Sequence, residues 1–376
     1  MKQNRDIAIL SDGMFPFHTG GMQSHTKNII EDLSPFYDHL YIGLPKNSAL
    51  QNEHQVLEQF SAEVQQKLKV ILVDRPKRTI RFPGAYLLEE MELSKRLNKA
   101  LREKCKDVKY IYAQGFTGWN KKHRIAPVLV HLHGFEFMQY IPSFAYRIKS
   151  KFLGVFFKKL IKKADYVISL GGKITDIIVE LGVNKKQVLH HLNGLDELPK
   201  KPAKREGKGK RFLFVARNEK RKGFEDLIEA WKVSKDHSHL DVVGNYHPVE
   251  GLNNVTFHGE IKDRERINHI YQQSDFIVLP SYAEGMPMVL LEAACFGCIP
   301  ICTNVGAIGS YFNKQNAIWI EVGSPDSIRE AISKAEELDS LEVEKMRESF
   351  ANGAEQFTRT NCSKSFVNQL REAGLD

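Results

Sequence analysis

Short apolar runs separated by helical segments dominate the first half of the chain. The runs lie at residues 6–10, 39–44, 69–74, 109–114, 127–133, 166–170 and 187–192. Runs that are apolar at nearly every position are typical of parallel strands buried on both faces of a sheet. Helical patterns lie between most of them, for example at residues 23–33, 89–104 and 173–181. This alternation predicts a doubly wound α/β domain.

A polar segment interrupts the rhythm after residue 196. Residues 197–210 contain two prolines and almost no large apolar side chain, which is typical of an interdomain linker. Strand-like runs then resume at residues 211–216, 240–243, 255–258, 276–280, 299–303 and 317–322. We therefore predict a first domain at 1–196, a second similar domain at 211–355 and a helical tail at 356–376. Because ligands bind at the carboxyl ends of parallel strands, the functional loops of both domains should face the cleft between them.

Composition places the chain among soluble globular proteins. Of its 376 residues, 42% are hydrophobic and 27% are charged, which excludes a disordered chain. No run approaches the roughly 18 to 20 apolar residues of a membrane span, and the N-terminal residues lack the apolar core of a signal peptide. We expect a cytoplasmic protein.

Charge favours an anionic partner without choosing one. The chain has 54 basic and 46 acidic residues, a net charge of +8. A phosphate-bearing substrate, a nucleic acid or an anionic membrane surface would each suit this excess. Because no module interleaves aromatic side chains with lysines, a nucleic acid is not expected.

The cysteines and the acidic residues argue against disulfides and metals. Five cysteines are too few, and odd in number, for a disulfide framework. Cys295, Cys298 and Cys302 cluster, but no second Cys/His pair follows at zinc-ligand spacing, so we interpret them as packing residues. No Asp-x-Asp occurs in the chain, so a metal-chelated diphosphate is not indicated and no cofactor is expected.

Two loops have the composition of phosphate sites. Gly20 and Gly21 lie directly before a predicted helix, where backbone N–H groups are able to approach an anion, although a plain tight turn explains them equally well. Arg217 and Lys222 lie between a predicted strand and the helix that begins near Phe224. Cations at such a position suit a diphosphate, but a solvated basic loop is the alternative.

Two carboxylates and one histidine are further candidates. Glu284 precedes a predicted helix, and Glu292 lies within its apolar sequence. An unpaired carboxylate is costly to bury, so Glu292 needs either ligand hydroxyls or a structural arginine. His133 ends a predicted strand, where it would touch a ligand or serve the structure alone.

These segments, taken in order, resemble the retaining, nucleotide-sugar-dependent glycosyltransferases of the glycosyl transferases group 1 family. The segment from Glu284 to Glu292 resembles the Glu-x7-Glu motif of that family. The ordered set covers most of the chain and also includes Gly20-Gly21, His133-Gly134, residues 193–196, Arg217 with Lys222-Gly223, residues 258–261 and residues 303–306. The resemblance implies a GT-B fold, in which two Rossmann-like, doubly wound parallel-sheet domains face an interdomain cleft and the tail helix returns to the first domain.

The resemblance also implies roles for single residues. Arg217 and Lys222 would bind the donor diphosphate, although their interval is one residue shorter than in many members, so Arg221 or Lys220 is an alternative. His133 would face the sugar near its reacting carbon. The remaining donor contacts would come from Gly20 and Gly21 at the diphosphate, Glu292 at the ribose, Gly259 and Ile261 at the base, and Glu284, Gly285, Met286, Pro287 and Met288 at the sugar.

The implied activity is a retaining, metal-independent transfer from a nucleotide-diphosphate sugar to a bacterial surface glycan. Lipopolysaccharide, capsule or another lipid-linked glycan would be the acceptor. Retaining glycosidases use two carboxylates about 5 Å apart. No such pair is evident, and the resemblance implies same-face attack in which the departing diphosphate takes the acceptor proton. The alternatives are an epimerase-like enzyme on the same fold and a non-catalytic basic binding protein.

A basic helix is predicted at residues 144–163. Its second half has one face of large apolar residues and an opposite face with Lys158, Lys159, Lys162 and Lys163. Phe152 projects onto the basic side, where a solvated helix has no use for it. We expect this surface to bind the anionic inner membrane from the cytoplasmic side, with a connecting helix that covers the sheet as the alternative.

Overall fold

The computed structural model describes residues 5–18, 20–76, 85–119, 124–139, 144–196, 209–232 and 238–376. Most of the predicted linker at 197–210 lies outside these residues. The described chain forms two parallel sheets, one on each side of that segment.

The first sheet has seven parallel strands in the order β3-β2-β1-β4-β5-β6-β7. All seven lie where apolar runs predicted them: β1 (Ile7–Leu10), β2 (Leu40–Pro45), β3 (Leu68–Val73), β4 (Ile111–Gln114), β5 (Val128–His131), β6 (Tyr166–Ser169) and β7 (Val188–His190). The helices that connect them are α1 (Gly21–Leu33), α2 (Glu53–Leu57), α3 (Ala62–Lys67), α4 (Ala85–Lys104), α5 (Phe144–Ile161) and α6 (Gly172–Glu180).

The second sheet has six parallel strands in the order β10-β9-β8-β11-β12-β13. They are β8 (Arg211–Val215), β9 (His239–Val243), β10 (Val255–Phe257), β11 (Phe276–Leu279), β12 (Ile299–Thr303) and β13 (Ile318–Ile320). The accompanying helices are α7 (Phe224–Trp231), α8 (Arg264–Gln272), α9 (Met288–Cys295), α10 (Pro325–Glu337) and α11 (Ser340–Ala351). The prediction of two doubly wound α/β sheets is therefore confirmed.

Both sheets reverse their strand order at one point, and these points locate the ligand crevices. In the first sheet the reversal lies between β1 and β4, and in the second it lies between β8 and β11. Loops that follow these strands diverge and leave a crevice at the carboxyl ends. The loops after β1, β4, β8 and β11 are therefore the places to look for a ligand site.

The last helix, α12 (Arg359–Glu372), packs against the first sheet. Phe366, Val367 and Leu370 are fully buried in the core of that domain, and Gln369 exchanges two hydrogen bonds with the backbone of His190. Where the chain crosses back, Leu195 pairs with Thr358 as an isolated parallel bridge. The two crossings between the domains thus lie side by side.

Arg359 begins α12 with a network of ion pairs. Its guanidinium contacts Glu31, Asp32 and Asp196, each at 2.7–2.8 Å, and so connects α12 to α1. Burial, together with the charges of Glu31 and Asp196, raises the pKa of Asp32 to about 6, although Arg359 opposes this shift. One cation thus holds three carboxylates, one of which is poised to take up a proton.

Candidate active site

Glu284 lies in the loop after β11, at the reversal point of the second sheet, and is 4% exposed. Lys222 Nζ lies 2.6 Å from its Oε1, and Arg221 Nη1 lies 3.2 Å from its Oε2. Ser281 Oγ donates a third hydrogen bond to Oε1 at 2.7 Å. Because the carboxylate is matched by two cations, its charge is fully compensated despite burial.

The cations come from the loop after β8, whose conformation depends on glycine. Gly223 has φ 71°, and a Cβ on it would lie 2.2 Å from the carbonyl oxygen of Pro280. Only glycine allows this approach, which places the basic turn against the loop after β11. Gly223 thus allows Lys222 to lie beside Glu284.

Arg221 and Arg217 differ sharply in their surroundings. Although burial lowers it, the charges of Glu284, Glu136 and Glu219 raise the pKa of Arg221 above its ordinary value. Arg217 is 71% exposed at its side chain and pairs with Glu219 at 3.2 Å. The structure thus brings Arg221 and Lys222 together at Glu284, and places Arg217 further out on the surface of the same loop.

The first domain contacts the backbone of the loop after β11. Gln139 Nε2 donates to the carbonyl of Glu284 at 2.6 Å, and its Oε1 accepts from the Glu284 amide at 3.3 Å. A Cβ on Gly285 would lie 2.4 Å from the carbonyl oxygen of His133, so only glycine fits there. The loop after β11 therefore meets the loop after β5 across the cleft.

His133 has a strained backbone, with φ 61°, and is the only non-glycine residue with positive φ among those described. Such a conformation costs a bulky residue about 1–3 kcal/mol, and glycine would adopt it freely. The side chain is partly buried, and its Nε2 lies 2.7 Å from Gln114 Oε1 at the end of β4. A histidine at this strained position, beside both crevices, is consistent with a functional side chain.

Three histidines surround the Tyr112 hydroxyl beneath this point. The Tyr112 hydroxyl lies 2.9 Å from His25 Nε2, 2.6 Å from His131 Nδ1 and 3.3 Å from His191 Nδ1. Burial and the neighbouring His191 lower the pKa of His133 to about 3, and burial likewise lowers the pKa of His191 to about 3. Burial also holds the pKa values of His25 and His131 well below the usual range. All four imidazoles are therefore neutral at physiological pH.

Ring geometry disfavours a metal ion in this cluster. Nitrogen atoms of His25, His131 and His133 lie within 4.8 Å of one another. However, His131 stacks on His133 with ring centroids 3.8 Å apart and planes inclined by 26°. A ligated ion lies near the plane of each imidazole, about 2.1 Å from its nitrogen, and two stacked rings do not share such a point. The cluster is better explained as a hydrogen-bonded network.

Glu292 lies on α9 and has protein partners at both oxygens. Arg264 Nη1 lies 3.0 Å from Oε1, and the Tyr271 hydroxyl donates to Oε2 at 3.2 Å. Burial and the charge of Glu292 hold the pKa of Tyr271 well above its usual range. Arg264 is thus the structural arginine that the sequence analysis gave as one of two possible partners of Glu292, although its side chain is 62% exposed.

The other predicted donor contacts lie at loop and helix ends. Gly20 is the N-cap of α1 and Gly21 its first residue, with no heavy atom within 4 Å of a Cβ built on Gly21. Gly259 and Ile261 lie in the loop after β10, where Gly259 has φ 68°. Met286 is buried, Pro287 is the N-cap of α9, and Met288 is the first residue of that helix.

The basic helix α5 presents a mixed surface. Lys158, Lys159 and Lys162 are exposed, and so is Val155, at 53%. Lys163 instead lies 4.4 Å above the centroid of the Trp119 ring. The side chain of Phe152 lies outside the described residues. Among the helices that the structure describes, none has the length and hydrophobicity to span a bilayer.

Solved structures of similar architecture identify the fold. A sucrose-phosphate synthase from Thermosynechococcus elongatus matches with a TM-score of 0.77 at 18% identity, over 99% of both chains. The Anabaena protein HepE, solved in complex with UDP and glucose, matches with a TM-score of 0.68 at 16% identity, over 98% of this chain and 100% of that chain. Together with the two parallel sheets, these likenesses define a protein of the GT-B fold.

Sequence comparison finds similarity to one family model over the second domain. Residues 196–357 match the family model described as Glycosyl transferases group 1. TuaC of Bacillus subtilis, a glycosyltransferase named for teichuronic acid biosynthesis, is 29% identical over 223 residues, which are 56% of this chain and 55% of TuaC. The N,N'-diacetylbacillosaminyl-diphospho-undecaprenol alpha-1,3-N-acetylgalactosaminyltransferase of Campylobacter jejuni is 28% identical over 58% of this chain and 59% of that enzyme. The chain thus spans just over half the length of these relatives, and over that part it is similar to glycosyltransferases.

Proposed function

We propose that this protein is a retaining, metal-independent glycosyltransferase. It would move a sugar from a nucleotide-diphosphate sugar to a bacterial surface-glycan acceptor. The observation that carries the proposal is the cluster of Arg221, Lys222 and Glu284, which lies at the reversal point of the second sheet and meets His133 of the first domain through Gly285. The family match over residues 196–357 and the complex of HepE with UDP and glucose support a nucleotide-sugar donor.

In this mechanism fixed cations stabilise the leaving group. As the bond to the sugar breaks, charge grows on the departing diphosphate, and Lys222 with Arg221 or Arg217 neutralises it. The absence of an Asp-x-Asp sequence supports cationic rather than metal neutralisation. The acceptor attacks from the same face, and the departing diphosphate takes its proton, which requires no pair of carboxylates.

A donor panel tests the proposal directly. Purified protein is incubated with uridine, guanosine and other nucleotide sugars, with and without lipid-linked glycan acceptors, and free nucleoside diphosphate is measured. We expect acceptor-dependent release from one donor, unchanged by EDTA, with a product that keeps the anomeric configuration of that donor. Epimerised donor without release would indicate the epimerase-like alternative, and no turnover of any donor would favour a binding protein.

The surface of α5 supports an acceptor that is anchored in a membrane. Three exposed lysines accompany exposed Val155 and, seven residues earlier on the same face, Ile148, which is 57% exposed. An anionic bilayer attracts each nearby cation by about 1 kcal/mol, and apolar side chains add insertion energy. Peripheral binding to the cytoplasmic face of the inner membrane would bring the cleft close to a lipid-linked glycan.

A further inference from the structure

A chain of buried polar groups leads from the loop after β1 to His133. Ser11 Oγ donates to the Gly13 carbonyl at 2.7 Å and lies 2.9 Å from Thr26 Oγ1 on α1. Thr26 Oγ1 also lies 3.0 Å from the Met22 carbonyl and 2.8 Å from Gln114 Nε2. The side chain of Gln114 is fully buried, and its amide oxygen Oε1 contacts His133.

The donors and acceptors along this chain orient the side-chain amide of Gln114. A carbonyl oxygen only accepts, so the proton of Ser11 goes to Gly13, and the single proton of Thr26 has two acceptors, Met22 O and Ser11 Oγ. With the Thr26 proton on either of these acceptors, Thr26 Oγ1 accepts from Gln114, whose amide nitrogen faces it in the structure. This orientation turns Gln114 Oε1 toward His133.

The direction of these bonds sets the tautomer of His133. Gln114 Oε1 only accepts, so His133 Nε2 carries the hydrogen across their 2.7 Å contact. A neutral imidazole has one N–H, which leaves Nδ1 with a lone pair. The carbonyl of His133 lies against Gly285, so this residue is at the junction of the two domains.

We propose that Gln114 is a positioning residue that fixes His133 as the Nε2–H tautomer, so that Nδ1 accepts a hydrogen bond from a substrate hydroxyl. The inference rests on the proposed function. His133 in this state is a neutral acceptor and neither an acid nor a cation for the diphosphate. The hydroxyl belongs to the donor sugar or to the acceptor, and both belong to the same chemical class.

The surroundings of His133 keep it neutral over a wide pH range. Its titratable neighbours are His131, which stacks on it from β5, His25, which meets it edge-on from α1, and His191, which follows β7. None of these neutral rings stabilises an imidazolium at His133. A carboxylate in place of the Gln114 amide would do so, because it would accept from Nε2–H and add an opposite charge.

Nitrogen NMR of the free protein tests the tautomer without reference to activity. With 15N-labelled histidine, His133 is assigned by its loss in His133→Asn, and two-bond correlations reveal which nitrogen is protonated. We expect an unprotonated Nδ1 and a protonated Nε2 at pH 7, and a mixture of tautomers in Gln114→Leu. A wild-type Nδ1–H form, an imidazolium, or an unchanged tautomer in Gln114→Leu would overturn the proposal.

The pH dependence of kcat gives the second test. We expect kcat of Gln114→Glu, relative to wild type, to fall about tenfold from pH 8 to pH 5.5, as His133 regains a pKa near 6.5. Gln114→Leu should lose about three- to tenfold in kcat at every pH. A constant ratio between Gln114→Glu and wild type would overturn the proposal even if donor turnover is intact.

Asn98→Leu is the matched control for these variants. Asn98 is another fully buried amide of the first domain, and it donates to the carbonyls of Ser94 and Thr117. Its loss should lower the thermal midpoint in the same way as Gln114→Leu. We expect the tautomer of His133 and the shape of the pH profile to stay as in wild type.

Discussion

Lys222 is a residue whose charge serves two partners in the proposed reaction. In the free protein it neutralises buried Glu284, and in the transition state it would face the growing charge of the diphosphate. We expect Lys222→Ala to lower kcat about 100-fold or more, beyond any change in KM. Lys220→Ala removes an exposed lysine of the same turn and should have little effect. Steady-state kinetics decides, and a large loss for Arg221→Ala with little for Lys222→Ala would assign the role to Arg221.

In the proposed complex, Arg264 and the donor ribose would compete for the carboxylate of Glu292. Its ion pair with Arg264 involves a largely exposed guanidinium, and such pairs contribute at most about 1 kcal/mol. Charge-assisted bonds to ribose hydroxyls contribute about 1.5–3 kcal/mol, so the ligand should displace Arg264. We expect Glu292→Ala to weaken nucleotide binding about tenfold to a few hundredfold by calorimetry, and Arg264→Ala by less than about threefold. Wild-type affinity in folded Glu292→Ala would contradict the ribose role.

At the scale of elements, the contact between α12 and α1 should make stability depend on pH. The pKa of Asp32 in the folded protein, about 6, lies above its unfolded value of 3.8. Its contribution to stability is therefore present below pH 3.8 and lost as the pH rises through 6. We expect wild type to gain about 2 kcal/mol over Asp32→Asn between pH 7 and pH 4.5 in urea unfolding. The control is Asp38→Asn, which removes an exposed ion pair with Arg5 and should show the same pH dependence of stability as wild type. If the free energy of unfolding depends on pH in the same way in wild type and Asp32→Asn, the prediction is wrong.

The helix α5 should bind anionic lipid through its exposed lysines. We expect Lys158/Lys159/Lys162→Gln to lose most sedimentation with anionic liposomes at low salt, because each cation contributes about 1 kcal/mol. Phe152→Ser should also bind less if that ring inserts. The matched control changes exposed lysines of the second domain, Lys314/Lys334/Lys345→Gln, with the same loss of charge. If both triple variants bind equally, the interaction depends on net charge alone and not on α5. If wild type does not bind anionic liposomes, α5 has only a structural role.

At the scale of the whole molecule, single hydrogen bonds join the two domains across the cleft. Besides Gln139 with Glu284, Tyr311 donates to the carbonyl of Leu170 at 2.7 Å, and the Lys173 amide donates to Gly306 at 3.0 Å. Interfaces of this kind permit relative domain motion. We expect small-angle scattering to show a larger radius of gyration in free protein than in this structure, and a decrease at saturating nucleoside diphosphate. An identical radius with and without nucleotide would argue against closure.

The architecture could be predicted because buried parallel strands leave a contiguous local signal. The short helices α2 and α3 leave no such signal, since five or six residues do not complete a periodic pattern. Parts of the site depend on the fold itself. Gln139 reaches Glu284 from 145 residues away, so no spacing in the sequence announces it. The choice between Arg217 and Arg221 likewise required knowing that Arg221 points at Glu284 and Arg217 at solvent.

The return of α12 to the first sheet also sets the order in which the nascent chain can mature. Phe366 and Leu370 belong to a core whose other buried members lie mostly between residues 7 and 189, which are made before them. On the ribosome, the first domain emerges before the second. Its hydrophobic core therefore lacks α12 until the second domain and the crossing at Thr358 have left the exit tunnel. During that interval the apolar groove reserved for α12 stays open to solvent and to chaperones. The first domain is thus synthesised before the second, but it completes its fold only after the second domain has been made.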